Sequence, residues 1–208
     1  MTQQEIIEHL STYSTPELCD GAGAGEYRTM DYHIRRMVTK KRITGRAYTV
    51  EVPEGISGIV PDAILEAKPG DILVIAAKGY TAGSFWGDHR SICATMKGIQ
   101  GVVIDGAFRD MAGCEEAGVP IFARNVTPGS AGKAVEGTLN VPVVCGGIRV
   151  YPGDYLVGDE NGIIVIRPEE AEKIMEKADE KKAAEEATIC KMKATGEIIP
   201  RVQMGREK

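Results

Sequence analysis

Apolar positions recur at helical spacing towards both ends of the chain. Near the start, Ile6, Ile7 and Leu10 share one helical face, which predicts a short helix. The next segment, Ser-Thr-Pro-Glu at 14–17, offers a hydroxyl cap, a first-turn proline and a glutamate placed to complete a capping box. It therefore predicts the start of a second helix. A last helix is predicted to begin near Pro168, and its apolar stripe consists of Ala171, Ile174, Met175 and Ala178.

Runs of β-branched and other apolar residues lie between these helices and predict buried strands. The predicted strands cover residues 43–52, 72–76, 101–104 and 120–123. Segments with helix signals separate them, at 62–67, 91–98 and 111–117. Such alternation of strands and helices is typical of an α/β fold. The glycine-rich segment 78–85 is predicted to be a loop.

The pattern changes between residues 132 and 166, where short apolar runs are separated by glycine-rich turns. Asn161-Gly162 is a strong hairpin signal, and Pro142 is expected at an edge or a bulge. Proline-glycine turns are predicted just before the apolar runs that begin at Ile72 and Tyr155. This part of the chain is predicted to form a β-meander or a small barrel-like sheet.

Length and charge narrow the class of protein. A chain of 208 residues is long enough for one well-buried domain. The net charge is −5 with both signs interspersed, whereas nucleic-acid binding needs a basic face, so nucleic acid is not an expected partner. No apolar run has the length of a membrane span, and the first residues do not resemble a secretory leader. We therefore expect no membrane association and a cytoplasmic location.

Three other features favour structural over chemical roles. The five cysteines are widely spaced without a Cys-x-x-Cys pair, which predicts buried free thiols instead of disulfides or a zinc site. The glycine-rich segment 21–25 follows a helix start and not a strand, so a helix end and loop is favoured over a nucleotide-binding loop. The basic run at 30–42 is interpreted as a solvated face that can also attract anionic substrates.

The strongest candidate chemistry lies where the predicted strand at 101–104 ends. Arg109 and Asp110 follow this strand, at the edge of an α/β sheet where ligands usually bind. Residues 87–88 fall at the N-terminus of the preceding helix, where free amides attract anions. We expect the amides of residues 88–90 to hold a carboxylate or phosphate, and Arg109 to bind the same anion through two hydrogen bonds.

The two aspartates suggest a metal beside that anion. Asp110 offers a hard oxygen ligand suited to Mg²⁺ or Mn²⁺, and Asp88 can add a second carboxylate or hold a water on the metal. Each residue also has a simpler interpretation. Asp110 can be the N-cap of the helix at 111–117, and Asp88 a first-turn acid that complements the helix dipole. The residues alone leave both interpretations open.

Several segments resemble the RraA-like family, which includes the class II 4-hydroxy-4-methyl-2-oxoglutarate aldolases and the ribonuclease E regulator. The resembling segments are Trp-Gly-Asp at 86–88, Gly-Val-Val-Ile-Asp-Gly-Ala-Phe-Arg-Asp at 101–110, Gly-Val-Pro-Ile-Phe-Ala-Arg at 118–124, and shorter matches at 15–20, 45–50, 140–143, 146–147, 150–154 and 159–165. The resemblance implies one RraA-like domain of the swivelling β/β/α type over residues 1–208. Its α/β architecture would be a mixed sheet or small barrel-like β core flanked by helices. The core would span about 14–175, and a C-terminal helix and tail 168–208.

The resemblance also implies roles for particular residues. In the family's aldolases, the loop that matches residues 87–90 binds pyruvate. Substrate binding is therefore expected at Gly87, Asp88, His89 and Arg90. Arg109 is expected to contact the substrate and act in catalysis, and Asp110 to ligate the divalent metal cation, Mg²⁺ or Mn²⁺. As a hypothesis, Asp88 is the second catalytic residue, since it can hold the water that accepts the substrate's hydroxyl proton. Two features depart from the family: an acidic residue is common at the position of Gly113, and an aliphatic pair at 89–90.

The expected function is therefore that of a metal-dependent lyase. It would cleave a 4-hydroxy-2-oxo acid to pyruvate by a retro-aldol reaction and would have oxaloacetate decarboxylase activity. The alternative is a non-catalytic regulator that binds ribonuclease E, because a shared scaffold does not decide function. A methyltransferase is disfavoured, since the segment 21–25 does not follow a strand. Relatives that this chain resembles form trimers or pairs of trimers, so a homotrimer or hexamer is expected.

Overall fold

Four parallel strands form the centre of one mixed sheet in the computed structural model of this protein, which describes residues 1–203. The strands are β1 (Arg28–Thr29), β2 (Arg35–Val38), β3 (Ile43–Glu51), β4 (Asp71–Ser84), β5 (Gly101–Phe108), β6 (Ile121–Val126), β7 (Thr138–Leu139), β8 (Val143–Cys145), β9 (Ile148–Val150), β10 (Tyr155–Asp159) and β11 (Gly162–Ile166). The helices are α1 (Gln3–Leu10), α2 (Thr15–Ala22), α3 (Val60–Glu66), α4 (Asp88–Lys97), α5 (Met111–Ala117) and α6 (Ala171–Thr195), the last preceded by a 3₁₀ turn at Pro168–Glu170.

The strand order shows why this is a mixed sheet. The path runs β1-β11-β10-β3-β4-β5-β6-β2, and β7 also pairs with β3. Strands β3 to β6 are parallel, while β2, β10 and β11 pair antiparallel to their neighbours. The predicted α/β class with a mixed sheet flanked by helices and a C-terminal helix is therefore confirmed.

The strands of residues 132–166 do not form a sheet of their own. Within the described chain, β10 and β11 extend the main sheet beside β3, with Tyr155 opposite Arg46 and Gly158 opposite Ile43. Only β8 and β9 form a separate two-stranded hairpin. The prediction that this half forms a β-meander or a small barrel-like sheet was wrong, because the periodicity of a strand does not reveal which distant strand it pairs with.

Alternating residues of the parallel strands supply two cores on opposite faces of the sheet. On one face, residues such as Leu73, Ile75 and Val102 pack with helices α3, α4 and α5. On the other face, Ile72 and Val74 pack with the β8–β9 hairpin. A third core lies between β10, β11 and helices α1, α2 and α6. Burial on both faces explains why the parallel strands are continuous apolar runs.

Most of the predicted helix signals are confirmed. Ser14 and Glu17 form the reciprocal capping box that begins α2, and α5 has the predicted bounds. Helix α4 ends at Gly98, whose φ of 79° is the left-handed conformation of a helix C-cap. The proline-glycine turns before β4 and β10 also form, each with its glycine at a φ of 86°.

Two local predictions need correction. The segment 78–85, predicted to be a loop, is mostly part of β4, which continues irregularly to Ser84 because Tyr80 and Ser84 pair with β5. The hairpin of β10 and β11 forms, but Asp159 is opposite Gly162, so its two-residue loop is 160–161. Pro142 directly precedes β8.

All five cysteines are free thiols, of which Cys114 and Cys145 are buried and the others are not. The expectation of free thiols is confirmed, and burial holds for these two alone. Helix α2 ends with Gly23 at a φ of 96°, as expected for the glycine-rich segment. Over residues 1–203, none of the helices combines the length and apolarity needed to cross a membrane.

Candidate active site

The end of β5 and the segment before α4 are held together by backbone hydrogen bonds. The amide of Phe85 donates to the carbonyl oxygen of Ala107 at 2.9 Å, and the amide of Arg109 donates to that of Trp86 at 3.0 Å. Trp86 is buried, and its indole nitrogen donates to the Ser91 hydroxyl at 2.8 Å. The two segments that the sequence singled out therefore meet in the fold.

Gly87 lies directly against the Arg109-Asp110 pair. A Cβ atom on residue 87 would lie 2.7 Å from Oδ2 of Asp110 and 3.5 Å from Cγ of Arg109. The Nε atom of Arg109 is 3.1 Å from the same Oδ2 atom. Both side chains are partly exposed. The absence of a side chain at Gly87 thus allows a guanidinium and a carboxylate to approach the N-terminus of α4.

Asp110 has an unusual backbone conformation. It occupies the N-cap position of α5, but with φ 58° and ψ 46°, and its side chain makes no capping hydrogen bond. A left-handed residue other than glycine is strained, and such residues cluster at functional sites. The N-cap interpretation is therefore right for the position of Asp110 and wrong for its side chain, which faces Gly87.

The start of α4 is only partly available to an anion. Gly87 is its N-cap residue with extended backbone, and both Asp88 and His89 are exposed. The amide of His89 donates to Oδ1 of Asp88 at 2.6 Å, so in this structure the aspartate already occupies one of the three amides proposed for the ligand. The Oδ2 atom of Asp88 has no hydrogen-bond partner among the described residues.

Arg90 is tied to the backbone that surrounds the site. Its guanidinium donates to the carbonyl oxygens of Phe85 and of Ser57, the latter at 3.1 Å. Burial, and then the nearby Arg109 cation, lower the pKa of Arg90. Arg90 therefore positions two neighbouring segments and adds a second positive charge beside Arg109.

Gly113, the position at which the resemblance implies an acid, lies beside Asp88. A Cβ atom at position 113 would be 2.7 Å from Cβ and 3.1 Å from Oδ2 of Asp88. The Asp88 carboxylate thus occupies the space that a side chain at 113 would need. This chain therefore lacks the acid expected at 113, but the carboxylate of Asp88 lies at the same place.

The predicted site residues all line one cleft of about 290 Å³. The cleft has further walls that the sequence did not indicate, made by Ser57, Gly58, Pro61, Ser84, Ser130 and Lys133. Isolated bridges of Ile56 with Gly132 and of Ser84 with Ser130 bring these segments together. Their pairing is long-range and leaves no local pattern. Lys133, an exposed cation in the cleft wall, is the main functional candidate that sequence reasoning missed.

The residues present fit a sparsely held hard cation. Asp88 and Asp110 are the acidic residues of the cleft lining, and no cluster of three or more His, Cys, Asp or Glu ligands exists within residues 1–203. Zinc prefers such a cluster. Mg²⁺ commonly binds through one or two carboxylates and keeps several waters, which agrees with the donors of this cleft.

Fold and cleft together define an α/β protein with a cleft suited to a small anion beside the ends of parallel strands. The chain belongs to the RraA-like family, since residues 15–165 match the family model described as Aldolase/RraA.

Three relatives illustrate this membership. A Halalkalibacterium halodurans protein named "Putative 4-hydroxy-4-methyl-2-oxoglutarate aldolase" is 36% identical over 90% of this chain and 89% of its own. A Thermus thermophilus protein named 4-hydroxy-4-methyl-2-oxoglutarate aldolase is 30% identical over 61% of this chain and 77% of its own. The crystal structure of Streptomyces coelicolor RraAS2, titled an unusual member of the RNase ES inhibitor RraA protein family, is 29% identical. It has a TM-score of 0.81 and covers 92% of this chain and 100% of its own.

Proposed function

We propose that this chain is a divalent-metal-dependent aldolase that cleaves a 4-hydroxy-2-oxo acid, of the 4-hydroxy-4-methyl-2-oxoglutarate type, to pyruvate. The names of its relatives support aldolase chemistry. The observation that carries the proposal is the approach of Arg109 and Asp110 to Gly87 at the start of α4. A guanidinium and helix amides, which bind the carboxylate of a 2-oxo acid, meet in one cleft with a carboxylate that can hold a divalent cation.

Substrate binding is assigned to the cations and the helix start. Arg109 binds the carboxylate next to the 2-oxo group, and amides at the start of α4 bind it from the other side. Arg90, held by the carbonyl oxygens of Phe85 and Ser57, keeps this part of the cleft positive. The cleft volume of about 290 Å³ suits a small substrate at the lower end of ligand-site sizes.

Bond cleavage needs stabilisation of negative charge and removal of one proton. When bound at Asp110, Mg²⁺ or Mn²⁺ supplies a Lewis acid for the 2-oxo group. As the bond between C3 and C4 breaks, Arg109 stabilises the charge that develops on the pyruvate fragment. Asp88 lies at the cleft and accepts, through a water, the proton that leaves the 4-hydroxyl group. The same water then returns a proton to C3 of the enolate, which gives pyruvate. Oxaloacetate has the same 2-oxo acid end, so decarboxylation to pyruvate is part of the proposal.

The test follows pyruvate release from 4-hydroxy-4-methyl-2-oxoglutarate and from oxaloacetate, with and without Mg²⁺ or Mn²⁺. We expect activity that disappears with a chelator and returns with either metal. Asp110→Ala should lower kcat/KM by about 1000-fold, and Asp88→Asn by about 100-fold, typical of losing a charge-stabilising group and a proton acceptor. Asp20→Ala, an exposed residue of α2 outside the cleft, is the matched control. Unchanged turnover by Asp110→Ala would refute the metal role.

The alternative is a non-catalytic regulator that binds ribonuclease E. The similarity to the RNase ES inhibitor family structure favours it, although the shared fold does not decide function. A pull-down with purified ribonuclease E, beside the pyruvate assay, separates the two. Binding without pyruvate release would support the regulator, and pyruvate release without binding would support the aldolase.

We also propose that the chain assembles as a homotrimer or a pair of trimers. The cleft wall that includes Lys133 belongs to an exposed segment, in which Val135 is 70% exposed. Single exposed apolar residues are common on protein surfaces, so the proposal rests on the family resemblance and places this segment at the contact between copies. Light scattering of the purified chain tests this, since a monomer mass at micromolar concentration would contradict it.

A further inference from the structure

Lys133 is a cation of the candidate active site that other described residues do not engage. The lining of the cleft contains three lysine or arginine side chains, those of Arg90, Arg109 and Lys133. Arg90 donates to two backbone carbonyl oxygens, and Arg109 lies 3.1 Å from a carboxylate oxygen of Asp110. Lys133 is exposed, and its ammonium group has neither an ion pair nor a hydrogen-bond acceptor within residues 1–203. Its charge is therefore available to a ligand in the cleft.

The backbone of Lys133 is fixed in the wall of the cleft. The amide of Gly132 donates to the carbonyl oxygen of Gly55 at 2.7 Å, and the amide of Ser57 donates to that of Gly132 at 2.8 Å. Gly58 lies so close that a Cβ atom on it would be 2.4 Å from the carbonyl oxygen of Lys133. The side chain thus starts from a defined point of the wall, while its four-carbon stem can move.

The substrate of the proposed aldolase has two acidic ends. The carboxylate beside the 2-oxo group is assigned to Arg109 and the amides of α4, which leaves the carboxylate on C4 without a partner. Removing a carboxylate from water without a partner is costly. The cleft lining holds three cations against two acids, and a bound divalent cation adds to this positive charge. Because Arg90 is held by the backbone, Lys133 is the cation left for the second carboxylate.

We propose that Lys133 binds the carboxylate on C4 and thereby makes the cleft selective for dicarboxylic 4-hydroxy-2-oxo acids. This role of Lys133 rests on the proposed function, since it concerns the other end of the same substrate. An ammonium group on a flexible stem can follow the carboxylate while C4 becomes planar, whereas a guanidinium needs a fixed geometry. The carboxylate keeps its charge as the bond between C3 and C4 breaks. Lys133 therefore stabilises the substrate and the transition state equally, so its loss should change KM and not kcat.

Calorimetric titration of the full chain with unreactive analogues tests the binding step without turnover. Of these analogues, 2-oxoglutarate has both carboxylates, 2-oxopentanoate has a methyl group in place of the second one, and neither has the 4-hydroxyl group that cleavage requires. With Mg²⁺ present, we expect the Kd of 2-oxoglutarate to be about 10-fold lower than that of 2-oxopentanoate, since a hydrogen bond between charged groups is lost in the latter. The preference should vanish in Lys133→Met, which keeps an unbranched stem, and remain in Lys133→Arg, which keeps the charge.

Pyruvate release measures the same selectivity during turnover. The substrate 4-hydroxy-4-methyl-2-oxopentanoate differs from 4-hydroxy-4-methyl-2-oxoglutarate only by a methyl group in place of the carboxylate on C4. Lys133→Met should lower the ratio of kcat/KM for the dicarboxylate to that for the methyl analogue about 10-fold, through a higher KM for the dicarboxylate. Lys177→Met, at an exposed position of α6 outside the cleft, is the matched control and should keep the wild-type ratio.

The outcomes separate this role from the aldolase itself. Equal affinity of the wild type for the two analogues, or the same preference in the wild type and Lys133→Met, would overturn the role of Lys133. An equal loss of kcat/KM on both substrates in Lys133→Met would also overturn it, because a purely structural change lowers both. If neither 4-hydroxy acid releases pyruvate while the Lys133-dependent preference for 2-oxoglutarate is present, the aldolase is refuted and the carboxylate site is supported.

Discussion

Asp88 and Gly113 share one space in this protein. The two residues belong to different helices, and a Cβ atom at position 113 would lie 2.7 Å from that of Asp88. Real Cβ atoms do not approach so closely, so a side chain at 113 can be accommodated only if Asp88 or the start of α5 moves.

Gly113→Asp should disturb the site by displacing Asp88. We expect kcat/KM for pyruvate release to fall about 100-fold, the usual effect of moving a reacting group by about 1 Å. Combining it with Asp88→Gly should recover at least part of the lost activity, because the new side chain then has space. Steady-state kinetics of the two single variants and the double variant measure this coupling. Additive losses would contradict the shared space.

Gly87→Ala should reduce activity more than stability. The added Cβ atom would lie 2.7 Å from Oδ2 of Asp110, so the carboxylate must move. The φ of Gly87 is −165°, which is extended backbone that alanine also adopts. We expect a loss in kcat/KM of about 100-fold, with about 1 kcal/mol lost from the free energy of unfolding because alanine is a poor N-cap. Urea denaturation separates the two effects, and full activity would contradict the geometry.

Arg90→Gln should loosen the cleft and destabilise the fold. The guanidinium donates to the carbonyl oxygens of Phe85 and Ser57. Its removal takes the side-chain donor from both, although the Ser57 oxygen still accepts the amide of Val60 at 3.2 Å. The expected loss in the free energy of unfolding is about 1–3 kcal/mol, with a higher KM for oxaloacetate. Arg35→Gln, at an exposed position of β2, is the control. A free energy of unfolding equal to that of the wild type would show that these hydrogen bonds do not stabilise the fold.

Acid should destabilise the junction of α2 with the β10–β11 hairpin. Asp159 is buried, and burial by itself raises the pKa of its carboxyl. Hydrogen bonds from Thr15 and Asn161 outweigh burial and hold the pKa below the ordinary 3.8. Because the unfolded chain takes up the proton first, this contribution to stability is complete above pH 3.8 and is lost as the pH falls through the folded pKa.

Asp159→Asn should therefore lose about 1–3 kcal/mol of unfolding free energy at neutral pH. It should also show less additional loss between about pH 4 and pH 2 than the wild type. Urea denaturation at each pH measures both quantities. Asp20→Asn, at an exposed position of α2, is the control, and an equal acid response of Asp159→Asn and the wild type would contradict the assignment.

The elements with local signals were predictable. The capping box of Ser14 and Glu17, the bounds of α5, and the C-cap at Gly98 depend on residues that are close in sequence. The parallel strands were also predictable from their apolar runs, since a strand that is buried on both faces has no alternating polar residues. A glycine within a strand indicates a bulge or a close approach of another backbone. Gly45 in β3 is such a residue, since a Cβ there would lie 2.4 Å from the carbonyl oxygen of Gly70.

The irregular part of β4 was not predictable. Its segment has several glycines, which locally indicate a loop, and it becomes a strand only because Tyr80 and Ser84 meet β5. The wall residues Ser57, Ser130 and Lys133 were missed for the same reason. Their place in the cleft depends on bridges between segments more than 40 residues apart in the sequence.

The sequence by itself determined the α/β class and the helix starts and ends. It also indicated that the N-terminus of α4 lies near Arg109 and Asp110, which follow β5. These features follow from periodicity and from side chains that satisfy nearby backbone groups. Only the tertiary structure decided the strand order, the left-handed turn of Asp110 towards Gly87, and the place of Ser57, Ser130 and Lys133 in the cleft wall. Such features arise from hydrogen bonds and steric contacts between segments that are distant in the sequence. The local pattern of apolar and polar residues therefore does not predict them.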